Sequence, residues 1–169
     1  MEIHPEQLEQ LFDSVCQSAR HSPAQSRGAI VQDSRAALAK SNFDTKAVHV
    51  LAASSLVRND PDRSLSLLHR NPGAVGSDAT GNRLAGYASL ARRDLERARQ
   101  YFDEAVRLDP HQADCWNWLG QIAEKESSDE RAADYYGRGA VFDDQHYRST
   151  LALSRLYAKS RKLKDAIHT

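Results

Sequence analysis

The stretch ADCWNWLGQIAEKESSDERAADYYGRGAVFDDQH, residues 113–146, decides how the chain is read. It is 34 residues long, and a step of 34 in either direction lands on the same kinds of residue without a gap. Gly86 leads to Gly120 and then Ser154, and Ala98 leads to Ala132 and then Ala166. Phe102 is matched by Tyr136, and Ala105 by Gly139. A period of this length is the mark of a repeat architecture and takes precedence over any shorter motif.

The spacing inside the period explains the repeat physically. From Leu84 to Ala91 and again from Leu95 to Leu108, apolar residues recur every three or four positions, as on helices with one buried face. Arg92-Arg93-Asp94 is too short a link for anything but an antiparallel pair. Gly86, Ala98 and Ala105 let backbones approach, while Tyr101 and Phe102 fill the space beside them. Asp109-Pro110 stops the second helix, because proline cannot continue the hydrogen-bond ladder and disfavours helix at the residue before it. Each pair leaves an apolar face that the next pair must cover.

This pattern resembles the tetratricopeptide repeat, with bulky residues at positions 4, 7, 11 and 24, small ones at 8, 20 and 27, and proline at 32 of a 34-residue unit. Residues 113–146 carry Trp116, Leu119, Gly120, Ala132, Tyr136 and Gly139 at six of those positions. Residues 79–112 carry Gly86, Ala98, Phe102, Ala105 and Pro110, and residues 147–169 carry Leu153, Ser154, Tyr157 and Ala166. Asn82, Ser89, Ala123, Asp144 and Thr150 depart from the pattern, weakening single contacts rather than the register. Residues 45–78 form a degenerate repeat through Leu51, Ala52, Ser64 and Leu68, its second helix cut short by Asn71-Pro72-Gly73 and a glycine-rich loop to about Gly81.

Residues 1–44 hold two more degenerate helices, Pro5 to about Ala19 and Gln25 to about Lys40, with bulky Ile30 where the family has a small residue and a long Ser22-Pro23 break. The resemblance therefore implies one all-α domain over residues 1–169, an α-α superhelix of antiparallel pairs. The last repeat is incomplete at Thr169, which reads as a fragment of a longer protein or a frayed end, with further C-terminal repeats or a domain expected in the first case.

Composition narrows the function classes. Lys plus Arg and Asp plus Glu number 23 each, so no global field recruits nucleic acid or an anionic membrane. Six basic residues from Arg148 to Lys164 meet no acidic one, but with no interleaved aromatic beyond Tyr157 this end reads as a solvated helix or an adjoining-domain contact rather than a nucleic-acid site. No stretch approaches a membrane span and the start Met1-Glu2-Ile3-His4-Pro5 lacks a basic segment followed by an apolar run, so with Met1 as the true start the expected location is cytoplasmic. Cys16 and Cys115 lack cysteine partners at metal-binding spacing and read as small hydrophobes. Seven scattered histidines read as singly exposed, and no phosphate loop, nucleophile elbow or metal-ligand spacing occurs. Asp129-Glu130 and Asp143-Asp144 read as helix ends rather than cation ligands. Trp116 takes a core position, and Trp118 reads as packing between repeats. No catalytic residue, metal site or cofactor is expected, and the chain is read as a non-enzyme.

The resemblance also implies a groove lined by the first helix of each pair at positions 2, 5, 9, 12 and 13. In this sequence the groove residues are Arg83, Tyr87 and Leu90, then Asn117, Gln121 and Glu124, then Arg148, Leu151, Arg155 and Lys159. Arg83 and Arg148 stand where a carboxylate clamp has cations, but Tyr87 and Ala152 replace its asparagine and arginine, which argues against a true clamp. A looser preference for acidic segments fits the arginine fork, and simple solvation of the helix face is its rival. The expected role is a non-catalytic scaffold or adaptor that docks a partner peptide or helix. Two alternatives stay open: an accessory repeat region of a larger enzyme or secretion component, and a secretion-type chaperone.

Overall fold

The structure, a computed structural model, describes residues 3–20, 25–40, 44–71, 73–142 and 148–167, the last stretch as backbone alone beyond residue 159. Among these residues every regular element is a helix: α1 Pro5–Ala19, α2 Arg27–Lys40, α3 Thr45–Val57, α4 Pro61–Arg70, α5 Ala79–Ala91, α6 Leu95–Leu108, α7 Ala113–Lys125, α8 Asp129–Phe142 and α9 Arg148–Ile167. They fall in two compact units, Met1–Leu108 and Asp109–Thr169.

The period of 34 reappears in the backbone. Helices α3, α5 and α7 begin at Thr45, Ala79 and Ala113, and α4, α6 and α8 begin at Pro61, Leu95 and Asp129. The turn inside each pair also repeats: Asn59, Arg93 and Ser127 adopt φ of 58°, 63° and 57°, the left-handed conformation that reverses a helix end. The amide after each reaches back to the last helical turn, Asp60 to Ser55 O, Asp94 to Ser89 O and Ser128 to Ala123 O, all at 2.9 Å. Asp60 and Asp94 then cap the next helix, accepting from the N–H groups of Arg63 at 3.0 Å and Arg97 at 3.1 Å. One short segment thus ends a helix, reverses the chain and starts the next helix.

Close approach within the pairs rests on missing side chains. A Cβ built on Gly86 would lie 2.5 Å from the Phe102 ring, and one on Gly120 would lie 2.4 Å from the Tyr136 ring. Both rings are fully buried, and burial pushes the Tyr136 phenol well above its usual pKa, with the Glu124 carboxylate adding to the shift. Ala98, Ala105 and Ala132 are fully buried alongside them. Trp116 and Trp118 are buried too, the Trp116 indole donating to Pro110 O at 2.8 Å.

Three features differ from the sequence reading. Gly81 lies inside α5, where a Cβ would collide with Ala74 O at 1.4 Å, so the residues before α5 are packed against the helix rather than forming a glycine loop that runs up to Gly81. His49 is only 6% exposed, unlike the singly exposed histidines expected. Helices α1 and α2 pack little on each other beyond the pairing of Arg27 with Glu9 and Asp13, and each packs along α3 instead. Helix α4 is short, at 10 residues against 14 in α6 and α8. The Ser22-Pro23 break, Pro72 and Asp143-Asp144 lie outside the described residues.

Gly120→Ala should lower unfolding stability by about 1–3 kcal/mol, because the methyl must displace a fully buried ring. Gly137→Ala, on α8 with nothing within 4 Å of the new methyl, should instead gain up to about 1 kcal/mol of helix propensity. Urea denaturation of the two variants measures both; equal effects would remove the packing account.

Candidate binding faces

In the unit Met1–Leu108 the predicted groove residues Arg83 and Tyr87 both lie on α5. Arg83 is half-buried, and its Nη2 donates to the Ser14 Oγ of α1 at 3.3 Å. Tyr87 is 2% exposed, its ring edge-on to Phe102 with centroids 5.7 Å apart. It therefore stands as a core group here rather than an open ligand contact. Leu90 is buried as well.

His49 of α3 lies beside them, its Nε2 3.4 Å from Ala74 O and 3.5 Å from Asp78 Oδ1. Asp78 is also the N-cap of α5, accepting the Gly81 N–H at 2.8 Å. Burial holds the imidazole below its usual pKa; Asp78 and the Ala74 carbonyl pull it up, and Arg83 pushes it down. The sequence reading missed this group. A signal existed, since His49 holds the same repeat position as Arg83.

In the unit Asp109–Thr169 the predicted residues lie on α7 and α9. Asn117 is 7% exposed and accepts from Gln121 Nε2 at 2.7 Å, so these two side chains bind each other. Arg155 reaches Glu124 at 3.0 Å, and Lys159 reaches Asp129 at 3.1 Å. Leu151 is 72% exposed. Arg148, half-buried at the start of α9, makes no ion pair among the described residues. The basic stretch is thus partly neutralised by acids the sequence places some 30 residues earlier.

Neither cysteine is bonded, and both are buried. Among the described residues no group of three side chains suited to a metal ion occurs, and no helix is long and apolar enough to cross a membrane.

No protein-family model matches the chain. Solved structures do resemble it: the crystal structure of MamA has a TM-score of 0.68 at 14% identity, covering 82% of this chain and 81% of that one. The TPR domain of Arabidopsis OM64 has a TM-score of 0.61 at 16% identity, covering 68% and 96%. A thermophilic TPR protein of Thermus thermophilus, TTC0263, has a TM-score of 0.59 at 18% identity, covering 98% and 87%. The fold is that of the tetratricopeptide repeat. Within this TPR fold, α3–α4, α5–α6 and α7–α8 are the helix pairs, and α3, α5 and α7 are the first helices. A curated protein, cellulose synthase 2 operon protein C of Komagataeibacter xylinus, is 32% identical over 78 residues, which is 46% of this chain and 6% of that protein's length.

The His49 geometry has a pH consequence. A histidine with a depressed folded pKa stabilises fully above its unfolded pKa of about 6.5 and loses that contribution as pH falls toward the folded value. The unfolding free energy from urea denaturation should fall between pH 7 and pH 5, by up to about 1.4 kcal/mol per pH unit from this one group. His49→Gln should show a shallower pH slope; an unchanged slope would assign the acid sensitivity elsewhere.

Proposed function

We propose that the chain is a non-catalytic protein-interaction scaffold that docks a peptide or helix of a partner protein on the faces of its first helices. The observation that carries this reading is the face of α7 and α9, where exposed Leu151 stands beside an arginine, Arg148, with no ion pair among the described residues. An apolar side chain next to a guanidinium suits a partner segment bearing a carboxylate. The likeness to TPR structures supports a scaffold role. Arg155 and Lys159 contribute less to recognition in this reading, because each already holds an acid.

A second reading comes from the sequence match. A stretch similar to 46% of this chain forms 6% of a far longer protein, named for a cellulose synthase operon. An accessory repeat region beside a polysaccharide-synthesising machinery is the corresponding role here. Co-purification of a tagged chain with membrane-associated synthase components would support it, and their absence would remove it.

Binding of a labelled peptide with an acidic C-terminus tests the first reading. Arg148→Ala should weaken it about ten-fold, the scale of a lost charged hydrogen bond. Arg155→Ala should weaken it less, and Arg83→Ala should change it little, because Arg83 is engaged by α1. Equal affinity for all three variants and the parent chain would sink the acidic-segment preference.

A further inference from the structure

Away from the groove positions, α2, α3 and α4 form a cavity of about 180 Å³ whose walls are rich in arginine. Arg35 of α2, Arg58 at the end of α3 and Arg63 in the first turn of α4 line it, together with Ser54 and Asp60. Lys46, His49, Ala53, Leu56 and Val57 hold the groove positions of this repeat, and none of them lines the cavity.

None of the three guanidiniums makes an ion pair among the described residues, and the Ser54 hydroxyl has no hydrogen-bond partner there. The nearby acids are engaged elsewhere. Asp60 caps α4, accepting the Arg63 backbone N–H at 3.0 Å, Asp62 is held by Arg92 at 3.1 Å, and Asp33 accepts from Gln25. Three cations thus line the cavity with one carboxylate, an excess of two positive charges.

The next repeat treats the same place differently. The counterparts of Arg58 and Arg63, 34 residues on, are Arg92 and Arg97, and they pair with Asp62 at 3.1 Å and Asp94 at 3.5 Å. The counterparts of Arg35 and Leu67 are His69 and Tyr101, whose ring nitrogen and hydroxyl meet at 2.9 Å. One repeat fills the place with an aromatic ring and neutralises its arginines. The other leaves it open and charged.

We propose that the cavity of α2, α3 and α4 is an anion site that takes a phosphate monoester or inorganic phosphate. Such a group carries a charge of about −1.5 to −2 at pH 7 and strong acceptor oxygens, which match the charge excess and the three guanidinium forks. A carboxylate brings a single charge. The volume is below the roughly 300 Å³ at which pockets for drug-sized ligands begin, so the site takes one anionic group rather than a whole nucleotide.

Isothermal titration calorimetry of the full chain at low ionic strength, with inorganic phosphate and with N-acetyl-O-phosphoserine amide, tests the site. Both should bind saturably, N-acetylserine amide should not bind, and added salt should weaken both. Arg35→Ala, Arg58→Ala and Arg63→Ala should each weaken binding about ten-fold, the scale of one lost charged hydrogen bond. Arg97→Ala, at the counterpart of Arg63, should leave it unchanged. Leu67→Tyr, which places the next repeat's ring at the cavity, should weaken it about ten-fold or more. All five positions are exposed or half-buried, so urea midpoints close to the parent's separate lost binding from lost fold.

Tighter binding of the blocked phosphoserine than of inorganic phosphate supports a phosphorylated side chain as the source, and the reverse order supports the free ion. No saturable binding of either probe overturns the proposal. So does full binding by a folded Leu67→Tyr chain, or equal weakening by Arg97→Ala, which would make the effect one of general charge. Acetate binding as tightly as phosphate also overturns it.

Discussion

The contact between an aromatic ring and a glycine on the facing helix is the constraint from which the rest of the fold follows. Phe102 over Gly86 and Tyr136 over Gly120 bring two backbones together at distances that a single added Cβ would forbid. With the axes that close, the alanines at the flanking positions are buried on both sides, and the second helix of a pair has one rotation in which it fits. The turn must then have constant length, and it does: a left-handed residue whose successor bonds back to the last helical turn recurs at 59–60, 93–94 and 127–128. Asparagine, arginine and serine hold that conformation at a cost a glycine would avoid, and the hydrogen bonds across each turn offset it.

That geometry decides which surfaces are left for other molecules. A first helix packed on its partner and on the neighbouring pair keeps only one face free, and the two units treat that face differently. On α7 and α9 it is polar, with Arg155 and Lys159 held by Glu124 and Asp129 and Leu151 standing out into solvent. On α3, Ala53 and Leu56 are buried and α1 packs along the helix, with Ser14 reaching Arg83 of α5. The same face is thus polar in one unit and buried in the other.

Much of this was legible in one sequence because the repeat is a strong periodic signal. The starts of α3 to α6 carry aspartate caps at Asp44, Asp60, Asp78 and Asp94, which recur at fixed offsets and are local in origin. The binding faces were less legible. Position within a repeat says which way a Cβ points, but it does not say what lies on top of it. Tyr87 and Asn117 hold ligand-facing positions and are nonetheless buried, and His49 was passed over because nothing local distinguishes a histidine packed against Asp78 and Ala74 from one in water. The pairing of Arg155 with Glu124 joins residues 31 apart in sequence, and that of Lys159 with Asp129 joins residues 30 apart. Charge counting along the chain does not see these two ion pairs.

The sequence by itself determined the helices, their pairing and the period, because 3.6-residue periodicity, capping chemistry and the exclusion of side chains at Gly86 and Gly120 act over a few turns of helix. Only the tertiary structure decided which faces stay open, because burial and charge neutralisation depend on residues brought together from distant parts of the chain. The placement of α1 is the clearest case. Its amphipathic stripe is written in Leu11, Phe12, Val15 and Cys16, but such a stripe fits any apolar surface, and its packing along α3 rather than its sequence neighbour α2 is settled by contacts between distant parts of the chain.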